Sequence, residues 1–143
     1  MNILFLVPTY GTFKEIIEPT ALLHKQITVV SYNINEPQLI PNTNTCMQIN
    51  DILYQSGGDV MVICIPGNIH VDVANTIANV SLLVINSNKT CIIYSDGVEY
   101  DYDDFIKELI NDSVLLITNN PDNFLLTLAE VTKAQGLLKN STN

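Results

Sequence analysis

Unbroken apolar runs alternate along this chain with segments of helical periodicity. Ile3-Leu4-Phe5-Leu6-Val7 is apolar throughout and closed by Pro8. So short a run, without alternation, predicts a strand buried on both faces. Thr12, with Glu15 three positions on, has the spacing of a capping box and predicts a helix start. That helix continues through Ile16, Ile17, Leu22 and Leu23 and should kink at Pro19. Ile27 to Tyr32 reads as the second strand. Asn33 to Asn44 reads as a loop, broken by Pro37 and Pro41. Asn44 can cap a helix with Cys46, Ile49, Ile52 and Leu53 on its apolar face, ended by Gly57-Gly58.

The second half repeats the alternation. Val60 to Ile65 is a third strand, closed by Pro66-Gly67, and Asn68 has the character of a helix N-cap. Val73, Ala74, Ile77, Ala78 and Ser81 share one face of the helix that follows. Leu82 to Ile85 fits two readings: a continuation of this helix to about Asn88, or a strand paired with Cys91 to Tyr94. A strand starting so soon after a helix would be cramped, which favours the helix. Thr90 to Tyr94 is the fourth strand. A helix beginning at Asp101 or Asp103 carries Phe105, Ile106, Leu109 and Ile110. Val114 to Thr118 is the fifth strand. Asn120-Pro121 is a cap with proline at the first helical position, opening a last helix to about Leu138.

Strands that alternate with helices imply βαβ units with right-handed crossovers. The fold class is therefore α/β: a Rossmann-like three-layer sandwich around a mostly parallel five-stranded sheet. Residues 1–139 form one domain and 140–143 a polar tail. Ile3–Val7 and Val60–Ile65 should be central strands. Ligands of such sheets bind at the carboxyl ends of the strands, near a switch in strand order. The loops after Val7 and Ile65 are the expected place.

Composition narrows the chemistry. Of 143 residues, 47% are hydrophobic, enough for a real core. The net charge is −9 and the only basic side chains besides histidine are six lysines. A nucleic-acid binder would need clustered Lys and Arg, so that class is disfavoured. An anionic ligand would have to be held by backbone N–H groups, hydroxyls and amides. Three cysteines, Cys46, Cys64 and Cys91, show no metal-binding spacing, and no metal or cofactor is expected. Cys64 and Cys91 lie inside apolar runs and read as core thiols of a reduced, cytoplasmic protein. No run is long enough to span a membrane, so no membrane partner is expected.

Three loops hold candidate ligand residues. In Pro8-Thr9-Tyr10-Gly11-Thr12, Gly11 permits a sharp turn, while Thr9, Tyr10 and Thr12 bring hydroxyls to the strand ends. This is a cradle for a phosphate or ribose, or else an ordinary βα loop. In Pro66-Gly67-Asn68-Ile69-His70, Gly67 and Asn68 suit a tight turn whose following N–H groups point at an anion. His70 reads first as a surface histidine of the opening helical turn. In Tyr94-Ser95-Asp96-Gly97 the Asp-Gly pair signals a turn, from which Asp96 or Ser95 could reach the same cleft. Tyr10 or Tyr32 could stack on a base. The acidic run Glu99 to Asp104 reads as a solvated helix start.

From Gly58 onward the chain resembles the Lonely Guy (LOG) family, within the wider SLOG superfamily of Rossmann-like domains. Asp59 to Gly67 looks like the family's strand ending in a Pro-Gly-Gly turn. The spacing from Pro66 to Lys89 is similar to its long helix, and Thr90 to Gly97 to its next strand. Tyr102 to Ile110 and Ser113 to Asn123 resemble the helix and closing strand that follow. More loosely, Leu6 to Val30 resembles the family's phosphate loop, helix and next strand. The departures are specific. Family hydrolases carry Pro-Gly-Gly-x-Gly-Thr-x-x-Glu and cleave the N-glycosidic bond of nucleoside monophosphates. Here Asn68, His70 and Val71 replace Gly, Gly and Thr, and Ala74 stands where the Glu belongs. The family arginine falls near Asn50 or Asp51, and its triple glycine near Pro8-Thr9-Tyr10.

The resemblance implies a module that binds a nucleotide-derived small molecule, such as an ADP-ribose or cyclic nucleotide signal, without catalysis. Such a module would sense its ligand or sequester it, as a viral anti-defence decoy would. The alternatives are a nucleoside or nucleotide N-glycosidase using Asp72, His70 or Asp96 in place of the lost Glu, and a protein-interaction module. A homodimer or higher homo-oligomer is expected, since Leu82 to Ile85 offers more apolar surface than one helix face can bury.

Overall fold

The computed structural model describes residues 2–24, 26–31, 59–84 and 90–141. The loop expected at Asn33 to Asn44, the helix expected after Asn44, and Tyr32 lie outside these residues. Five strands form one sheet: β1 (Ile3–Val7), β2 (Ile27–Ser31), β3 (Val60–Ile65), β4 (Thr90–Ser95) and β5 (Val114–Thr118). Among the described residues, four helices flank them: α1 (Lys14–Leu23), α2 (Val71–Val84), α3 (Asp104–Ser113) and α4 (Pro121–Ser141).

The order is β2-β1-β3-β4-β5 and every pairing is parallel. β1 and β3 are interior strands, each buried at every position. Their lack of alternation follows from having a helical layer on both faces. Ile3, Phe5, Val7, Val60, Val62 and Cys64 point into the α1/α4 layer, where Ile16, Phe124 and Leu128 meet them. Leu4, Leu6, Met61, Ile63 and Ile65 point the other way, onto Val73, Ala74, Ile77 and Ile106 of α2 and α3. Phe124 packs edge-on against Tyr94, which meets Phe13 in the same way.

Helix starts differ from the sequence expectation where caps decide them. The capping box at Thr12 does not form. α1 starts at Lys14, and the residue before it, Phe13, is left-handed with φ 60° and gives no side-chain cap. The Thr12 hydroxyl instead donates to the Thr9 carbonyl at 2.5 Å. Pro19 lies within α1. α2 starts at Val71, so Asn68 is not its cap. His70 is: the N–H of Asp72 donates to His70 Nδ1 at 3.1 Å, and those of Val73 and Ala74 to the His70 carbonyl. The Asn120-Pro121 cap does form, with Asn120 Oδ1 accepting from the N–H groups of Asp122 and Asn123. Leu82, Leu83 and Val84 belong to α2, so this stretch is helix, not a hairpin strand. Among the described residues, no helix is long and apolar enough to cross a membrane.

Candidate functional site

Strand order reverses between β1 and β3. The chain leaves β1 towards β2 on one side and leaves β3 towards β4 on the other, so their loops diverge and open a crevice at the carboxyl edge. Residues 8–13 follow β1 and residues 66–70 follow β3, the two loops singled out in the sequence.

The loop after β1 is wound tightly. Gly11 has φ +87°, and a Cβ there would meet nothing within 4 Å. Gly11 is thus needed for its backbone angle, not for close approach. Phe13 also takes a left-handed angle, which costs a residue with Cβ roughly 1–2 kcal/mol. Burial of its ring beside Tyr94 offsets that cost. Strain held next to a switch point is characteristic of ligand sites. Thr9, Tyr10 and Thr12 are all exposed at this edge, Tyr10 by 63%. Ser31, at the end of β2, donates its hydroxyl to the Pro8 carbonyl and anchors the loop from below.

The loop after β3 is bound to the loop after β4. The Asp96 N–H donates to the Ile65 carbonyl, and the Tyr100 hydroxyl donates to the Pro66 carbonyl at 2.5 Å. A Cβ on Gly67 would lie 2.0 Å from the Asp96 carbonyl oxygen. Gly67 therefore permits backbone to approach backbone. Asn68 and His70 are exposed. Because His70 Nδ1 accepts from Asp72 N–H, its ring proton belongs on Nε2. The Asp72 carboxylate, 3.4 Å from Nδ1, is then a neighbour and not a partner in a hydrogen bond. With the ring seated on it, the start of α2 is less open to an anion than the start of α1.

Charge at the crevice is acidic. Glu15 and Asp96 flank the Tyr94 hydroxyl, which is pushed up to about 12 by burial and then by Glu15 and Asp96. Lys14 is the basic residue at the start of α1.

A cavity of about 450 Å³ opens two strand pairs further along the same edge. It lies between the segment 98–102, α3 and the end of β5. The sequence reading missed it because Glu99 to Asp104 resembled a solvated helix start. A signal was present all the same. Val98, Tyr100 and Tyr102 alternate with Glu99, Asp101 and Asp103, and burial alternates with them. Tyr102 is 5% exposed, and its hydroxyl makes no hydrogen bond among the described residues. Ser95 is the polar neighbour that counters part of the burial pushing this phenol up to about 12, without meeting it in good hydrogen-bond geometry. Leaving a buried hydroxyl unmet costs roughly 1–3 kcal/mol. A shallower groove of about 310 Å³ separates α2 from α3, where Asn75 Oδ1 accepts from the Asp103 N–H.

Among the described residues, no three His, Cys, Asp or Glu side chains are grouped to hold a metal ion. Cys64 and Cys91 are buried in the sheet. Comparison with family models finds no match, and comparisons with curated proteins and with solved structures find none either.

Proposed function

We propose that this protein binds a nucleotide-derived small molecule at the carboxyl edge of its sheet and does not turn it over, acting as a sensor or a sink for that molecule. On this reading the chain is a degenerate relative of the LOG and SLOG group, and the protein self-associates. The observation that carries the binding reading is the reversal of strand order between β1 and β3, with Gly11 and Phe13 both left-handed beside it. The N–H groups opening α1 have no intrahelical partners, and no side chain caps them. They and the exposed Tyr10 hydroxyl are the donors for one phosphate or for a ribose, while the Thr12 hydroxyl, whose proton goes to the Thr9 carbonyl, can only accept.

A non-catalytic role is supported by Ala74, which is fully buried against the sheet at the position of the family's glutamate. Asp72 is exposed and sits against the capping His70. Glu15, Asp72 and Asp96 together favour a ligand of low charge.

The test is a melting-temperature screen against nucleosides, their 5′-monophosphates, cyclic nucleotides and ADP-ribose, with chromatography of each ligand afterwards. At a hundredfold excess over its dissociation constant a ligand adds about 2.7 kcal/mol of stability. The expected result is stabilisation with the ligand recovered intact. Release of free base would replace this reading with an N-glycosidase. No stabilisation by any of them would remove it in favour of a protein-interaction role. Light scattering that gave a 15.9 kDa monomer would contradict self-association.

A further inference from the structure

We infer that the cavity between segment 98–102, α3 and the end of β5 is the pocket for the uncharged, planar part of the ligand, a nucleobase. This rests on the nucleotide-binding reading above and adds where the base goes.

The cavity's size lies within the range of small-ligand sites. Its walls are held in place rather than loose. Tyr100 is tied to the Pro66 carbonyl, the loops after β3 and β4 close on each other at Gly67, and Lys107 pairs with Asp101 at 3.2 Å. The lining combines apolar surface from Val98, Ile110 and Ile117 with the amides of Asn111 and Asn119. Two hydroxyls, of Ser95 and Tyr102, are buried in it, at 2% and 5% exposure.

The Tyr102 hydroxyl selects the occupant. It is buried and without a partner among the described residues, and it is un-ionised at neutral pH, so it has a proton to donate. A purely apolar occupant would leave that donor unmet. A phosphate would face Glu99, while the one lysine in the lining already holds Asp101. A flat heterocycle with ring nitrogens and carbonyls meets each condition: apolar faces for the aliphatic walls, acceptors for Tyr102, and a polar edge for the two asparagines.

Adjacent strands lie about 4.8 Å apart, so along the sheet the gap between β4 and β5 is about 10 Å from the gap between β1 and β3. The pocket lies on the α2/α3 face and the start of α1 on the other, so a nucleotide that reached both would cross the carboxyl edge of the sheet.

The experiment is a titration of ¹⁵N-labelled protein with the four common ribonucleosides and their 5′-monophosphates, followed by amide shifts. It is done on the wild type, on Tyr102→Phe and on Asn111→Trp. Tyr102→Phe removes an unpartnered hydroxyl, and Asn111→Trp fills the cavity from an exposed helix position; each is checked for an unchanged fold by its spectrum. The expected result is that at least one nucleoside shifts the amides of Val98, Tyr102, Asn111 and Asn119. Both substitutions should weaken it about tenfold or more, and its monophosphate should also shift Gly11 to Glu15. Monophosphates that shift only the first group support the pocket and contradict the phosphate cradle. Shifts confined to residues 9–15 and 67–72, or affinity unchanged by both substitutions, overturn the pocket and leave nucleotide binding standing. No shifts from any of the eight compounds overturn both.

Discussion

Gly67 and Gly11 illustrate two different reasons for a glycine. At Gly67 an added Cβ would lie 2.0 Å from the Asp96 carbonyl, so backbone must move to admit it. Overpacking of this kind costs typically about 1–3 kcal/mol, and a backbone obstacle belongs at the upper end. At Gly11 there is open space and only the positive φ is strained, by roughly 1–2 kcal/mol. Chemical denaturation of Gly67→Ala and Gly11→Ala should therefore show the larger midpoint loss at Gly67. The reverse order would mean that the loops after β3 and β4 are not closed on each other. The sequence marked both residues, yet the reason for Gly67 lies 29 positions away at Asp96 and was not legible locally. His70 gives a second residue-scale prediction. As the cap of α2, its replacement by alanine should cost about 1 kcal/mol, and His70→Asn should recover most of that, because asparagine is a good N-cap. Equal losses from both, measured by the same denaturation, would remove the capping role.

Among elements, strands were the most legible. β1 and β3 start and end where the apolar runs do, because a strand buried on two faces tolerates no polar residue within it; the edge strand β5, half-exposed, also has the bounds expected of it. Helix starts were less so. Thr12 and Asn68 are good caps by type, but the tight turn at Gly11 and the ring of His70 moved each cap one or two residues on. The pocket beside β5 was hidden because an extended segment and a helix start share the same acidic letters.

β4 and the segment after it also set the alkaline limit of the fold. Cys91 and Tyr94 on β4, and Tyr102 beyond it, are each pushed up to about 12 by burial. Their folded values exceed their unfolded ones, so the stability they contribute is complete below pH 9. It is lost as pH rises from there through about 12. For Tyr102 this amounts to at most roughly 3 kcal/mol. The melting temperature should hold near neutrality and fall steeply above pH 10, with tyrosinate absorbance appearing together with unfolding. Tyrosinate from all six tyrosines at pH 10 in a protein still folded would contradict the burial of Tyr94 and Tyr102.

On the scale of the whole molecule, the net charge of −9 without any arginine governs which nucleotides can be held. Glu15, Asp72 and Asp96 stand at the same edge as the phosphate cradle, so each added phosphate meets more repulsion than donors can offset. A nucleoside or monophosphate should bind more tightly than its triphosphate. Raising salt should strengthen phosphate binding, because the screening length is about 10 Å at 0.1 M and the repelling carboxylates are exposed. Calorimetry at two salt concentrations checks this, and an affinity that rose with phosphate number and fell with salt would place the ligand elsewhere. The most direct test of the account is a crystal structure with the 5′-monophosphate that raises the melting temperature most. The ligand is predicted at the carboxyl edge, its phosphate at the N–H groups of Lys14 and Glu15 and its base against Tyr102. A ligand at the amino ends of the strands, or in the groove between α2 and α3, would contradict it.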